Sequence, residues 1–208
     1  MSNPSTRLNL YIDIFDQLKQ HALALPTLSG RELVAEILKE FRELEFLSDD
    51  PTRYQLLKVE DHTPLLADKT LGEQLKDGQY LLFEEITPRL PDGATSPSQT
   101  LYLRESSTGK VFTLHWLPAL IGRPHVDALD NDLLAVNLES FKTGMRVSRR
   151  HAQIIEEAGQ FLVESLSQNP TTVEDSEGNR IPSIHQRIQS GDQIHLERSG
   201  ISFKCIIR

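Results

Sequence analysis

The 208-residue chain has a single cysteine, Cys205, so no intrachain disulfide can form and no thiolate cluster can hold a metal. A lone thiol predicts a reducing compartment, the cytoplasm. No apolar run approaches the roughly 20 residues that a membrane-spanning helix requires. The opening MSNPSTRLNL has no basic segment leading into an apolar one, so neither a secretory leader nor direct membrane insertion is expected. Excess positive charge is also missing. The net charge is −8, without the broad basic footprint by which proteins neutralise nucleic-acid phosphates, so no nucleic-acid partner is expected. There is no Gly-x-x-x-x-Gly-Lys phosphate cradle, no His-Glu-x-x-His zinc helix and no Gly-x-Ser-x-Gly nucleophile elbow. These absences predict a protein that is not an enzyme, with no catalytic residues, no bound metal and no cofactor.

What is present is ordinary for a globular protein: 38% hydrophobic and 25% charged residues, at a length that accommodates two small domains. The charge is uneven, −7 over residues 1–88 and −1 over residues 100–208. Between these stretches lies TPRLPDGATSPSQ, with three prolines, one glycine and no apolar periodicity, which reads as a linker. The expected organisation is a domain over residues 1–87, a linker over 88–98 and a second domain over 99–208.

In the first domain Leu8, Leu10, Ile12 and Ile14 alternate with mostly polar neighbours, as a half-buried strand should, and residues 18–25 return as its hairpin partner. Ser29 and Glu32 are spaced as a capping box. After them Leu33, Val34, Ile37, Leu38 and Phe41 recur at helical spacing, predicting one amphipathic helix to about Phe46 that ends ahead of SDDPT. Two further strands are expected at Tyr54–Val59 and, after Asp77-Gly78, at Gln79–Glu84. This order, with Thr70-Leu71, Leu75 and Gly78 before the last strand, resembles the α+β ubiquitin-like β-grasp fold, in particular small bacterial ubiquitin-like proteins associated with type VII secretion. The chain continues past this point without a terminal Gly-Gly, so a role as a conjugated modifier is not implied. A plain helix-on-sheet assembly module fits the same pattern.

The second half reads as short strands only: Leu101–Leu103, Lys110–Trp116, Ile154–Ile155, Phe161–Val163, Gln193–Leu196 and Ser202–Ile207, each bounded by turn signals. Short strands at that spacing predict an all-β sandwich. Four features follow in order: Gly122-Arg123, Ser148-Arg149-Arg150-His151, Ser167-Gln168-Asn169 and Gly191-Asp192. In that order and spacing they resemble the forkhead-associated (FHA) domain, over about residues 99–208. The resemblance implies a phosphothreonine-reading adaptor whose partners are phosphothreonine-containing proteins, a Ser/Thr kinase or its substrates among them. It assigns phosphopeptide contacts to Arg123, Ser148, Arg149, Gln168 and Asn169, and structural support of the site to Gly122 and His151.

The residue types suit that chemistry. A phosphothreonine carries roughly −1.5 to −2 charges near neutral pH and three strong acceptor oxygens. Arginine presents a planar fork of donors, and serine adds a compact hydroxyl donor. The family usually has glycine after the asparagine, whereas this chain has Pro170, which removes glycine's positive-φ options and pushes Asn169 toward extended backbone. Three further features have plainer readings. Ser148 and His151, three apart in an extended segment, point to opposite faces, which argues against a proton relay. The aspartates Asp127, Asp130 and Asp132 are out of calcium-loop register and read as a solvated loop. The long stretch Val126–Gly144 either shapes selectivity or covers a sheet edge. The rival function is a phosphorylation-independent scaffold or assembly protein, for example in a secretion apparatus, that uses both domains as docking modules.

Overall fold

A computed structural model describes residues 7–125 and 131–208. The chain divides into two compact units, residues 1–87 and 88–208.

The first unit opens with a hairpin of β1 (Leu8–Ile14) and β2 (Gln17–Ala24), in which Leu10 pairs with Ala22 and Ile12 with Gln20. The helix α1 (Gly30–Glu40) follows, then β3 (Tyr54–Lys58), the single turn α2 (Leu71–Gln74) and β4 (Gln79–Glu85). The sheet order is β2-β1-β4-β3, with the central pair β1 and β4 parallel and both outer pairs antiparallel. Alternation buries Leu10, Ile12, Ile14, Leu56, Leu81 and Phe83 on one face, and α1 buries Leu33, Val34, Ile37 and Leu38. The capping box at its start is closed, with Glu32 N–H donating to Ser29 Oγ at 3.2 Å and Ser29 N–H to Glu32 Oε2 at 2.7 Å.

The helix is shorter than the pattern predicts. It stops at Glu40, and residues 41–47 continue as turns through Leu44 N–H to Phe41 O (3.0 Å) and Leu47 N–H to Leu44 O (2.9 Å). Continued helical geometry would place Leu47 about half a turn away from Leu38, on the solvent side. The turns instead bury Phe46 and Leu47, with Phe46 edge-on to Phe15 at 5.2 Å.

The second unit comprises β5 (Leu101–Glu105), β6 (Val111–Leu114), β7 (Ala119–Gly122), β8 (Leu134–Asn137), β9 (Arg150–Glu157), β10 (Gln160–Ser165), β11 (Thr171–Glu174), β12 (Arg180–Pro182), β13 (Gln186–Arg187), β14 (Gln193–Leu196) and β15 (Ile201–Ile207). They form a five-stranded sheet, β13-β10-β9-β7-β8, and a six-stranded sheet, β12-β11-β14-β15-β5-β6. The buried residues of both sheets form one cluster that includes Leu103, Leu114, Ile121, Ile154, Val163, Phe203 and Cys205. Cys205 is fully buried, and desolvation holds its thiol pKa well above the usual range. This unit is the β-sandwich that the short strands predicted.

Of the two readings of the stretch from 126 to 144, the sheet-edge one holds for its later part, which supplies β8, parallel to β7 at the end of the five-stranded sheet; residues 126–130, with Asp127 and Asp130, lie outside the described residues. The expected linker is not wholly loose. Thr95 exchanges backbone hydrogen bonds with Leu117 at 2.9 and 2.8 Å, and Ser98 gives its amide (2.9 Å) and its hydroxyl to the Glu156 carboxylate. A buried carboxylate, Glu105, organises the turn between β5 and β6 by accepting from the amides and hydroxyls of Ser107 and Thr108. Burial alone would raise its pKa, but those four donors outweigh it and hold the carboxyl below the usual value. Among the described residues no helix is long and apolar enough to cross a membrane, and no cluster of metal-ligating side chains occurs.

Candidate phosphate-binding loops

The sheet register gathers the first three motifs at one end of the sandwich, while Gly191-Asp192, which leads into β14, lies at the other. Gly122 at the end of β7 pairs with Arg150 at the start of β9, and Ser165 at the end of β10 pairs with Ala152. On the other sheet, Thr171 at the start of β11 pairs with Leu196 at the end of β14. The loops carrying residues 123–125, 144–149, 166–170 and 197–200 leave these strand ends.

Gly122 is where β7 meets the serine loop. A Cβ there would lie 2.1 Å from Arg149 O and 2.9 Å from Ser148 O, both backbone atoms. Only glycine permits this approach, and it lets Arg123 N–H donate to Arg149 O at 3.1 Å. The Arg123 side chain then turns across the loop, with Nε donating to Val147 O at 2.7 Å and Nη1 to the exposed thioether of Met145 at 3.4 Å. The thioether is a weak acceptor that an anion can displace. One edge of the guanidinium is thus anchored, and Nη2 has no acceptor among the described residues.

Ser148 is half-buried, and its amide donates to Nδ1 of the fully buried His151 at 3.2 Å. An amide can only donate, so the proton of the neutral ring sits on Nε2. Burial pushes the His151 pKa down, partly offset by the backbone of Pro170, whose carbonyl is the polar group acting on Nε2. That nitrogen is buried without a well-formed hydrogen bond of its own. His151 therefore braces the loop as a neutral imidazole, and it meets Ser148 through the amide rather than the hydroxyl.

The Ser148 hydroxyl is oriented from the other side, where Asn169 Nδ2 donates to its Oγ at 2.8 Å. Because that oxygen acts as acceptor, its own proton remains to give, and no acceptor for it occurs among the described residues. Asn169 keeps a negative φ ahead of Pro170. Arg149 and Gln168 are exposed, with no side-chain hydrogen bond or ion pair among the described residues, and Arg146 is exposed beside them. Asp192 of the Gly191-Asp192 turn is buried, and its Oδ2 accepts from Gln189 N–H at 2.8 Å.

Two arginines have roles the motif did not announce. Arg150, one of the clustered arginines, turns inward and donates through Nη1 to Arg149 O (3.0 Å) and Arg123 O (3.3 Å), and through Nη2 to Asn131 Oδ1 (3.1 Å). Arg198, on the turn between β14 and β15, donates through Nη1 to Asn169 Oδ1 at 3.1 Å. Apart from the one to the adjacent Arg149, these contacts bridge 19 to 29 positions of sequence, so local spacing carries no trace of them. Chemically the site is a set of N–H and O–H donors around Arg123 and Ser148, suited to an oxyanion.

Residues 119–197 match the FHA domain family model. Solved structures with similarity to the chain include the FhaA FHA domain complexed with the intracellular domain of Rv3910, at 30% identity over 53% of this chain and 100% of that one, with a TM-score of 0.36. Another is Mycobacterium tuberculosis EmbR with a low-affinity phosphopeptide, at 28% identity over 51% of this chain and 24% of that one, TM-score 0.39. A third is the FHA domain of human APLF with an XRCC1 bisphospho peptide, at 25% identity over 51% and 97%, TM-score 0.38. No curated protein matches the chain. The sandwich of this chain carries an FHA domain, matched over residues 119–197.

Proposed function

We propose that this protein is a phosphothreonine-dependent adaptor that reads kinase-modified partners, or the kinase itself, through the loops at the Arg123 end of its FHA domain. Domains of this class recognise phosphorylated motifs through arginine-rich loops. The observation that carries the reading is the donor set: a Ser148 hydroxyl held as acceptor by Asn169 and with its proton unspent, beside an Arg123 guanidinium whose outer edge is unspent. In this reading Arg123, Ser148 and Arg149 hold the phosphate, Gln168 assists, and Asn169 contacts the ligand main chain. Gly122 and His151 keep the loops in register.

The first unit we assign to the ubiquitin-like β-grasp, on the strength of its β2-β1-β4-β3 order, its parallel central pair and the helix between the hairpin and β3. Its boundaries are residues 1–87, followed by the connecting segment 88–98 and the FHA domain over 99–208. It serves as a second docking module in a cytoplasmic assembly without catalysis.

The test is binding of the full-length chain to a phosphothreonine peptide selected from a degenerate library, beside its unmodified twin. The expected result is binding of the phosphorylated form only, weakened at least about tenfold by Arg123→Ala, as loss of one charge-assisted hydrogen bond implies. Equal binding of both twins favours the phosphorylation-independent scaffold. Undiminished binding by Arg123→Ala disproves the assigned site.

A further inference from the structure

Arg198 lies outside every motif above, on the four-residue turn that joins β14 to β15. That turn is stiff. Ser199 and Gly200 N–H both donate to Leu196 O at 3.0 Å, and Ser199 Oγ donates to the same carbonyl at 3.0 Å. It is also fastened to the asparagine loop, since Glu197 N–H donates to Pro170 O at 3.2 Å. The proline that replaces the usual glycine thus contributes a carbonyl to which the neighbouring turn is tied. From this platform the Arg198 guanidinium reaches Asn169 Oδ1 at 3.1 Å, while Asn169 Nδ2 reaches Ser148 Oγ at 2.8 Å.

A carboxamide has two nearly isosteric ends of opposite hydrogen-bonding sense, and its orientation follows from its partners. The serine hydroxyl is a poor arbiter because it can donate or accept equally well. Arginine is not neutral in this respect, since it carries only donors. Its presence therefore requires that the amide oxygen face Arg198 and the NH₂ face Ser148. The serine oxygen must then accept, and its proton is left for a ligand. Without Arg198 the amide is free to turn over. Its oxygen would take the serine proton internally, and the hydroxyl would present a lone pair to an incoming phosphate.

We infer that Arg198 is a positioning residue which, by fixing the Asn169 carboxamide, keeps the Ser148 hydroxyl proton available to a phosphorylated ligand. The inference rests on the phosphothreonine-reading function proposed above, but one of its tests needs no ligand. In the full-length protein the Asn169 side-chain NH₂ has two inequivalent proton resonances, one set by the Ser148 contact, and S148A identifies that shift by removing it. R198M is expected to move that resonance toward its S148A value, and R198K to retain most of the parent shift because an ammonium also only donates. If the Asn169 NH₂ signals of R198M match those of the parent, the inference is wrong whatever the ligand.

The second test uses the phosphothreonine peptide and its unmodified twin. R198M and R198Q are expected to weaken phosphopeptide binding about tenfold, the equivalent of one hydrogen bond to a charged group, and R198K to restore it to within roughly threefold. The N169A background separates positioning from simple attraction between charges. A positioning residue acts only through Asn169, so R198M added to N169A should change affinity less than about twofold. If R198M weakens binding equally in both backgrounds, Arg198 is merely another nearby cation and the inference fails. Thermal unfolding of each variant accompanies the titrations, and an exposed turn residue should leave the transition in place. A parent protein that does not distinguish the two peptides overturns the proposed function and, with it, this use of Arg198. A discriminating parent with an unaffected R198M overturns the inference alone.

Discussion

Replacing Gly122 with alanine adds one methyl group at the junction between β7 and the serine loop. Its carbon would lie 2.1 Å from Arg149 O, 2.8 Å from Arg149 C and 2.9 Å from Ser148 O, more than about 1 Å inside ordinary contact for the closest of these. The obstacle is backbone that cannot yield cheaply. The Arg149 carbonyl is held by Arg123 N–H at 3.1 Å and Arg150 Nη1 at 3.0 Å, and the Ser148 amide is bound to His151. Overpacking a yielding core costs about 1–3 kcal/mol. A clash with pinned backbone belongs at the upper end of single-site effects, on the order of 3–5 kcal/mol. For a unit of this size that lowers the midpoint by roughly 10–20 °C. The assay is selective because the only tryptophan, Trp116, lies in the FHA unit, with Nε1 donating to Leu133 O at 3.3 Å. Its fluorescence therefore reports the unfolding of that unit. Gly159→Ala is the control: φ is +74° and nothing lies within 4 Å of the added carbon, so it suffers only the backbone penalty of about 1 kcal/mol. If Gly122→Ala costs no more than Gly159→Ala, the steric argument for this glycine is refuted.

Three further perturbations probe other parts of the molecule. Glu105→Ala leaves two amides and two hydroxyls at the β5–β6 turn without their acceptor, and should destabilise the FHA unit by roughly 2–4 kcal/mol in a Trp116 denaturation series. His151 is depressed by burial below its unfolded value near 6.5, so its contribution is fully present above about pH 6.5 and is lost as pH falls from there through the folded value. His151→Gln should accordingly lose less stability than the parent between about pH 7.5 and pH 5.5, and equal losses would contradict a buried neutral ring. Ser29→Ala removes the helix cap in the first unit and should cost about 1 kcal/mol, read from far-UV circular dichroism, which follows α1.

The parts of this structure legible in the sequence are those in which a local pattern matches a local cause. Alternation in β1 marked Leu10, Ile12 and Ile14 as the inner face, and the Ser29–Glu32 spacing marked the start of α1. The end of α1 was not legible, because Phe46 and Leu47 are apolar either way and tertiary packing chose turns over helix. In the FHA domain all four residues of Ala119–Gly122 are buried, which leaves no alternation to read, and only the Gly122-Arg123 motif at its end marked β7 as a strand. The strands β12 and β13 are only three and two residues long, with side chains mostly exposed. The first three motifs converge because strand register brings their loops to one end, and the ordered resemblance carried that information, whereas Gly191-Asp192 sits at the far end of β14. Arg150 as an internal brace and Arg198 as a partner of Asn169 depend on contacts across 19 to 29 positions, which a single sequence does not encode in any short window.

The buried Cys205 has a practical consequence for studying the protein. A thiol with no exposed surface and a strongly raised pKa supplies almost no thiolate at neutral pH, so maleimides and disulfide reagents have nothing to attack while the fold is closed. A cysteine introduced on any surface loop would therefore be modified alone, and a fluorophore or spin label can be placed without removing the native residue. The same protection makes slow labelling of Cys205 a stopwatch for opening of the β14–β15 hairpin, since each modified molecule must first have exposed its interior.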